Sequence, residues 1–262
     1  MKPLKLFWAR GTGKGAGARN AGDWYSPLIC AHLSGREVEY AAPHRCDLVA
    51  AGSLLQRLNR PHRLHRLGLS RRLHIWGTGS LRAEDSLTAQ HSVHAVRGVL
   101  TRERMAAADP SVPLGDPGLL ADTLVEANGA KRWPLGIVPH LVDRDHPEVL
   151  AFLDRHPRAK LLDVTAPVPE LLGNVAACER VLSSSLHGLI FADAYGVPNA
   201  WFAASDRLIG GRHKFDDYYS VFAMRPDPMR LDAVNPDEIG TDYARPGIDA
   251  IKAALASAFP RL

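Results

Sequence analysis

Residues 180–202, RVLSSSLHGLIFADAYGVPNAWF, constrain this chain more than any other stretch. A short β-favouring run leads into Ser183, Ser184 and Ser185, the residue type that caps a helix start. Over residues 186–195 only His187 and Asp193 interrupt the apolar character, so the spacing predicts a buried helix. Gly196 suits the left-handed position after the last turn, and Pro198 stops further winding. Residues 199–202 then return as a strand. The resulting unit of strand, serine turn, buried helix and strand puts His187 in the first helical turn. Unpaired backbone N–H groups and the positive end of the helix dipole meet a titratable ring there, which suits an anion. A packing histidine inside an ordinary βαβ crossover is the plainer alternative. The coincidence of serines, helix start and imidazole favours a site.

The same alternation runs through the rest of the chain. Strands are expected at 4–9, 47–51, 73–76, 94–97, 135–139 and 160–164, and helices at 100–108, 147–155, 168–178 and 248–259. Residues 115–124 read as a turn into a helix. Several strands end in small or polar residues, as at Gly52–Ser53 and Gly77–Thr78–Gly79–Ser80. Loops at the carboxyl ends of parallel strands line ligand crevices in this way. The polar stretch 127–134, ANGAKRWP, divides the pattern in two. The expectation is an α/β protein with two Rossmann-like domains facing across a cleft, a GT-B-like architecture. Residues 1–128 would form one domain, on the acceptor side, and 129–262 the other, on the donor side.

Length permits this, since 262 residues make one large domain or two of roughly 130. No apolar run approaches the ~20 residues of a membrane span, and the N-terminal residues do not read as a signal peptide. Cys30, Cys46 and Cys178 are odd in number and far apart, which argues against a disulfide framework or a zinc site and for a reducing cytoplasm. A net charge of +4 favours anionic partners. Much of the excess lies in residues 57–72, RLNRPHRLHRLGLSRR, read either as a solvated face or as a peripheral contact with an anionic membrane surface. No nucleic-acid-binding motif accompanies the arginines, so nucleic acid is not an expected partner.

Candidate site residues follow from position. The loop GTGKGAGARNAGD lacks the spacing of a phosphate loop and makes a poor dinucleotide motif. Its informative part is Asn20, Gly22 and Asp23, an amide and a carboxylate around a glycine just past the first strand. Asp23 could orient or deprotonate a hydroxyl, or simply cap a helix. His140 follows the first strand of the second half. Arg97, at a strand end, could present a guanidinium to a carboxylate or phosphate. Arg212, His213 and Lys214 precede Asp216 and Asp217 in what reads as a charged loop. No metal-ligand spacing and no Gly-x-Ser-x-Gly elbow are present, so Ser184 is not expected to be a hydrolase nucleophile.

Taken as an ordered set, these segments resemble the polysaccharide pyruvyltransferase family. The set comprises Asn20-x-Gly22-Asp23, Asp47–Leu48–Val49 with Gly52–Ser53, Trp76–Gly77–Thr78–Gly79, Val96–Arg97–Gly98 with Leu100–Thr101, Gly115–Asp116–Pro117, Val138–Pro139–His140, and Ser184–Ser185–Leu186–His187–Gly188 with Gly196–Val197–Pro198. The resemblance implies a transferase that moves an enolpyruvyl or pyruvate ketal unit from phosphoenolpyruvate to a saccharide in cell-surface or exopolysaccharide biosynthesis. Under it, His187, Asp23 and His140 are catalytic candidates. Arg97, Ser184, Ser185, Arg212 and Lys214 would bind the donor, and Asn20, Gly77 and Thr78 the acceptor. No metal and no cofactor beyond the donor substrate is implied. The saccharide could be nucleotide- or lipid-linked, at the cytoplasmic face of the inner membrane. One departure stands out: many members carry Arg-Leu-His where this chain has Ser185–Leu186–His187, so either Arg212 or Lys214 supplies the missing charge or the donor chemistry has changed. Two readings compete. One is a GT-B glycosyltransferase using a nucleotide sugar, for which Glu170 and Glu179 are ambiguous ribose-binding acids. The other is a non-catalytic saccharide-binding relative.

Overall fold

The computed structural model describes residues 2–10, 20–59, 72–88, 91–106, 109–205 and 209–262. The glycine loop of residues 11–19 and most of the basic stretch 57–72 lie outside them. Two parallel sheets carry the fold. The first contains β1 (Leu4–Phe7), β2 (Val38–Tyr40), β3 (Leu48–Val49), β4 (His74–Trp76) and β5 (Ser92–Ala95), in the order β2-β1-β3-β4-β5. The second contains β6 (Leu135–Val138), β7 (Ala159–Leu161), β8 (Val181–Ser183) and β9 (Asn199–Trp201), in the order β7-β6-β8-β9. Every pairing between these strands is parallel. The central strands β3, β6 and β8 are buried along their length, which suits their Val, Leu and Ile content. The chain is thus α/β, with two Rossmann-like halves.

The helices are α1 (Ala21–Ser34), α2 (Val99–Glu103), α3 (Ala121–Leu124), α4 (Pro147–Arg155), α5 (Val168–Ala176), α6 (Leu186–Ala194), α7 (His213–Tyr219) and α8 (Ile248–Ser257). The structure adds two elements and corrects one expectation. Helix α1 was not anticipated: Asn20 caps it through a bond from the Gly22 amide, and Gly35 closes it in the left-handed region. Strand β2 is a three-residue edge strand, too short to show a period. Residues 213–219 form α7 rather than a charged loop, because Phe215, Tyr218 and Tyr219 bury one side of it. Between the halves, residues 126–132 are exposed and form neither helix nor strand.

The halves share a hydrophobic core. It joins Leu4, Leu6, Tyr25 and Trp76 of the first half to Val138, Leu172, Leu189 and Phe191 of the second. Helix α8 follows the second sheet in the chain but packs on the first half. The Trp76 Nε1 group donates to the Leu255 carbonyl over 2.9 Å, and Lys252 pairs with Asp122. Among the described residues no helix is long and apolar enough to cross a membrane.

Both sheets change direction at one point. Chain order leaves β1 one way to β2 and the other way to β3, and leaves β6 likewise to β7 and β8. Ligands of open parallel sheets bind outside the carboxyl ends of strands at such switch points. Asn20 and Asp23 follow β1, Ser53 follows β3, His140 follows β6, and Ser184 to His187 follow β8. The ends of β1 and β8 meet at one seam, where Gly22 packs against the His187 ring.

Candidate active site

The seam closes tightly around His187. Its ring sits in the first turn of α6, with the side chain 14% exposed. It lies flat against the start of α1, where a Cβ built on Gly22 would stand 2.3 Å from the ring Nδ1. Only a glycine admits the ring there, which accounts for the Gly22 of the Asn20-x-Gly22-Asp23 segment. The other ring nitrogen, Nε2, is buried, has no hydrogen-bond partner among the described residues, and stands 4.0 Å from Asp116 Oδ1. Burial, together with the cations Arg97 and Lys214, pushes the His187 pKa down to about 3, so the ring is neutral as it stands.

Lys214 faces this ring from α7. It is buried, and its ammonium makes no hydrogen bond among the described residues. Desolvation and the nearby Arg97 lower its pKa to about 8, against the opposing pull of Asp23 and Asp143. Asp23, in the first turn of α1, is raised to about 7 by burial, which Lys214 and Arg57 partly offset. His140 is lowered to about 4, by burial first and then by Lys214, with Asp143 opposing and His187 adding to the fall. Its amide donates to Ser184 Oγ over 2.9 Å, and Ser184 Oγ donates to Asp143 over 2.8 Å. One neighbourhood therefore holds a buried neutral imidazole, an uncommitted ammonium, and a carboxyl that titrates near neutrality. Groups so tuned are the tools of acid–base chemistry on an anion.

The remaining candidates are spoken for by the fold. Arg97 is fully buried and uses all three of its nitrogens: Nε donates to Asp217 over 2.8 Å, Nη1 to Ser53 Oγ over 2.6 Å, and Nη2 to the Ser80 carbonyl over 2.6 Å. It ties the first half to α7 and contributes field to the site. Arg212 pairs with Asp216 and Asp227 and donates to the Pro226 carbonyl, so of the two cations proposed to replace the missing arginine only Lys214 is uncommitted. Ser185 occupies the cap position of α6 without a side-chain cap bond. Asn20 is engaged as the α1 cap. Thr78 Oγ1 donates to the Gly52 carbonyl and accepts the Leu54 amide, pinning two loops together. Gly77 has φ +83° and packs so closely that a Cβ would lie 2.2 Å from Pro117.

Asp116, Asp143 and Asp217 were given no role from sequence. Asp217 receives Arg97 along with the amide and hydroxyl of Thr101. Asp143 holds Ser184 and Ser205. Asp116 had a signal, standing within the quoted Gly115–Asp116–Pro117 segment, but its nearness to His187 across 71 residues has none.

Comparison with known proteins identifies relatives of this chain. The sequence model for "Polysaccharide pyruvyl transferase" matches residues 35–206, a span that includes Arg97, His140, Ser184, Ser185 and His187 but neither Asp23 nor Lys214. "Uncharacterized protein L143" of Acanthamoeba polyphaga mimivirus is 32% identical over 163 residues, which is 60% of this chain and 57% of that protein. "Succinoglycan biosynthesis protein ExoV" of Rhizobium meliloti (strain 1021) is 25% identical over 185 residues, covering 70% of this chain and 56% of that one. The chain thus spans a little over half the length of these curated relatives. Among solved structures, ADP-heptose lps heptosyltransferase II of E. coli aligns over 98% of this chain and 99% of that chain, at 10% identity and a TM-score of 0.32. With the family match extending over well over half of its residues, this chain belongs to the polysaccharide pyruvyl transferase family.

Proposed function

We propose that the protein transfers a pyruvyl unit from phosphoenolpyruvate to a saccharide destined for an exopolysaccharide. The observation that carries this reading is the pairing of neutral, unpartnered His187 with the uncommitted ammonium of Lys214 at a helix N-terminus. Phosphoenolpyruvate is a small, multiply charged anion, and it needs a cation and helix-end N–H groups to enter a buried seam. Lys214 takes the place of the arginine that many family members carry at the position of Ser185.

In this scheme the bound anion raises the His187 pKa, and the imidazolium protonates the methylene carbon of the donor. The neighbouring carbon becomes oxocarbenium-like, and a sugar hydroxyl attacks it as its proton passes to Asp23. Asp23, with a pKa of about 7, matches that task better than His140, which is held near 4. Attack by a second hydroxyl at the same carbon, with loss of phosphate, closes the ketal. Ligand-dependent melting tests the donor class. Saturating phosphoenolpyruvate should raise the melting temperature through mass action, and UDP-sugars should not. Stabilisation by UDP-sugars alone would replace this reading with glycosyl transfer.

A further inference from the structure

Asp116 is fully buried, and only part of its carboxylate has a structural task. Oδ1 accepts the Gly118 amide over 2.9 Å, capping the turn Pro117–Leu120. Oδ2 is buried without a partner. A cap needs one acceptor, which a neutral Asn or Ser side chain supplies at less desolvation. The unused oxygen therefore calls for another explanation. His187 stands against the same carboxyl: its Nε2 is also buried and unpartnered among the described residues, 4.0 Å from Oδ1, the oxygen that takes the Gly118 amide. A shift of about 1 Å brings such a pair into hydrogen-bonding range.

We propose that Asp116 and His187 share one proton, and that Asp116 is the positioning residue that lets the ring carry it. The proposal rests on the reading of His187 as the acid. Its logic is electrostatic. The ring faces Arg97 and Lys214, and both oppose an imidazolium, while the neighbouring His140 is held neutral. Asp116 faces Arg97, Asp217 and the phenol of Tyr25. It is thus the carboxylate placed against the ring nitrogen. Burial holds its own pKa up at about 6, against the Gly118 amide and Arg97, so it keeps a proton to a higher pH than an ordinary carboxyl. Moving that proton from Asp116 to Nε2 leaves a carboxylate beside an imidazolium, with no net change in the charge of the pair.

Asp116→Asn retains the volume and the cap while removing the ionisation. The test is a ¹⁵N-imidazole NMR titration of the full chain without donor, with the His187 signal assigned by its loss in His187→Gln. The native chain should show a His187 inflection near pH 6, where Asp116 ionises, and Asp116→Asn should lack it at an unchanged melting temperature. The same inflection in both proteins overturns the pairing. Turnover of Asp116→Asn should fall roughly 10²-fold with the donor Michaelis constant unchanged, the low end for loss of a positioned proton. Native turnover in the variant also overturns it. Should Asp116→Asn not fold, a ¹³C-carboxyl titration of Asp116 in His187→Gln replaces it: a shifted midpoint supports the pair and an unshifted one sinks it. A native chain with the inflection but no pyruvyl transfer would refute the proposed function and leave the pairing standing.

Discussion

The two polar residues of helix α6 sit at opposite ends of it in opposite circumstances. At the carboxyl end, Asp193 receives Asn199, Tyr218, Tyr243 and Arg245, so both of its carboxylate oxygens are bonded. At the amino end, the buried Nε2 of His187 takes no bond among the described residues, and it faces Asp116, whose Oδ2 takes none either. Asp193 is fully buried and the His187 side chain is 14% exposed, so both lie inside the fold. What differs is saturation. A buried charge whose bonds are all made holds elements together, and it resists any change in protonation. A buried group with bonds unmade is a liability for stability, and it keeps capacity for a ligand or a proton. The same contrast divides Arg97, which has spent every nitrogen within the fold, from Lys214, which has spent none.

The largest effect that could break this contrast is at His187. Its replacement by Gln should cut turnover by roughly 10²–10⁴-fold while the melting temperature stays close to native. A destabilised variant whose folded molecules turn over normally would make the histidine a packing residue. At the other end of the helix the expectation reverses. Asp193→Ala strands the buried Arg245 and should destabilise the fold by about 3–5 kcal/mol in urea unfolding, with folded molecules still active. If it left stability intact and abolished turnover, the two ends would have to exchange roles.

Lys214→Ala should raise the donor Michaelis constant sharply, because it removes a charge-assisted contact worth roughly 1.5–3 kcal/mol. Steady-state kinetics against the donor measure this, and unchanged kinetics would return Lys214 to the scaffold. The smallest effect is a pH dependence at Asp23. Its folded pKa, about 7, lies above the 3.8 of an ordinary aspartate, so the folded chain binds the extra proton between those values. Stability from this group is therefore present at low pH and is lost as pH rises through 7. Asp23→Asn should be more stable than the native chain at pH 8, with little difference at pH 4, and less active throughout. Urea midpoints at the two pH values check the first part. An advantage at pH 4 instead would contradict the buried carboxyl.

How far the sequence reached depended on length and range. Helix α6 was legible because nearly every residue in it is apolar and its ends carry serine and glycine–proline signals. Helix α1 was not, since Gly22 and Pro27 interrupt it and it buries only part of its surface. Helix α7 was hidden because seven residues rich in charge show no usable period, although Phe215, Tyr218 and Tyr219 were there to mark a buried side. In the site, His187, Asp23, His140 and Lys214 could be named one at a time because each follows a strand or sits in a charged run. That Lys214 is uncommitted while Arg97 and Arg212 are tied down depends on partners far away in the chain, and no local pattern encodes them. Asp116 read as part of a turn, and its contact with His187 exists only once the halves have met.

The return of α8 to the first half has a consequence for synthesis. Trp76 lies in a central strand of the first sheet, and the carbonyl that receives its indole N–H belongs to Leu255, 179 residues later. The ring of Phe259 also covers it, edge-on, at 4.9 Å. At about 5–20 residues per second, those residues leave the ribosome on the order of 10–40 s after Trp76 does. For that interval the nascent first half lacks the two groups that complete the Trp76 environment. The amino-terminal half therefore reaches its final packing only after the last helix has emerged, and the order of synthesis is not the order in which its core closes.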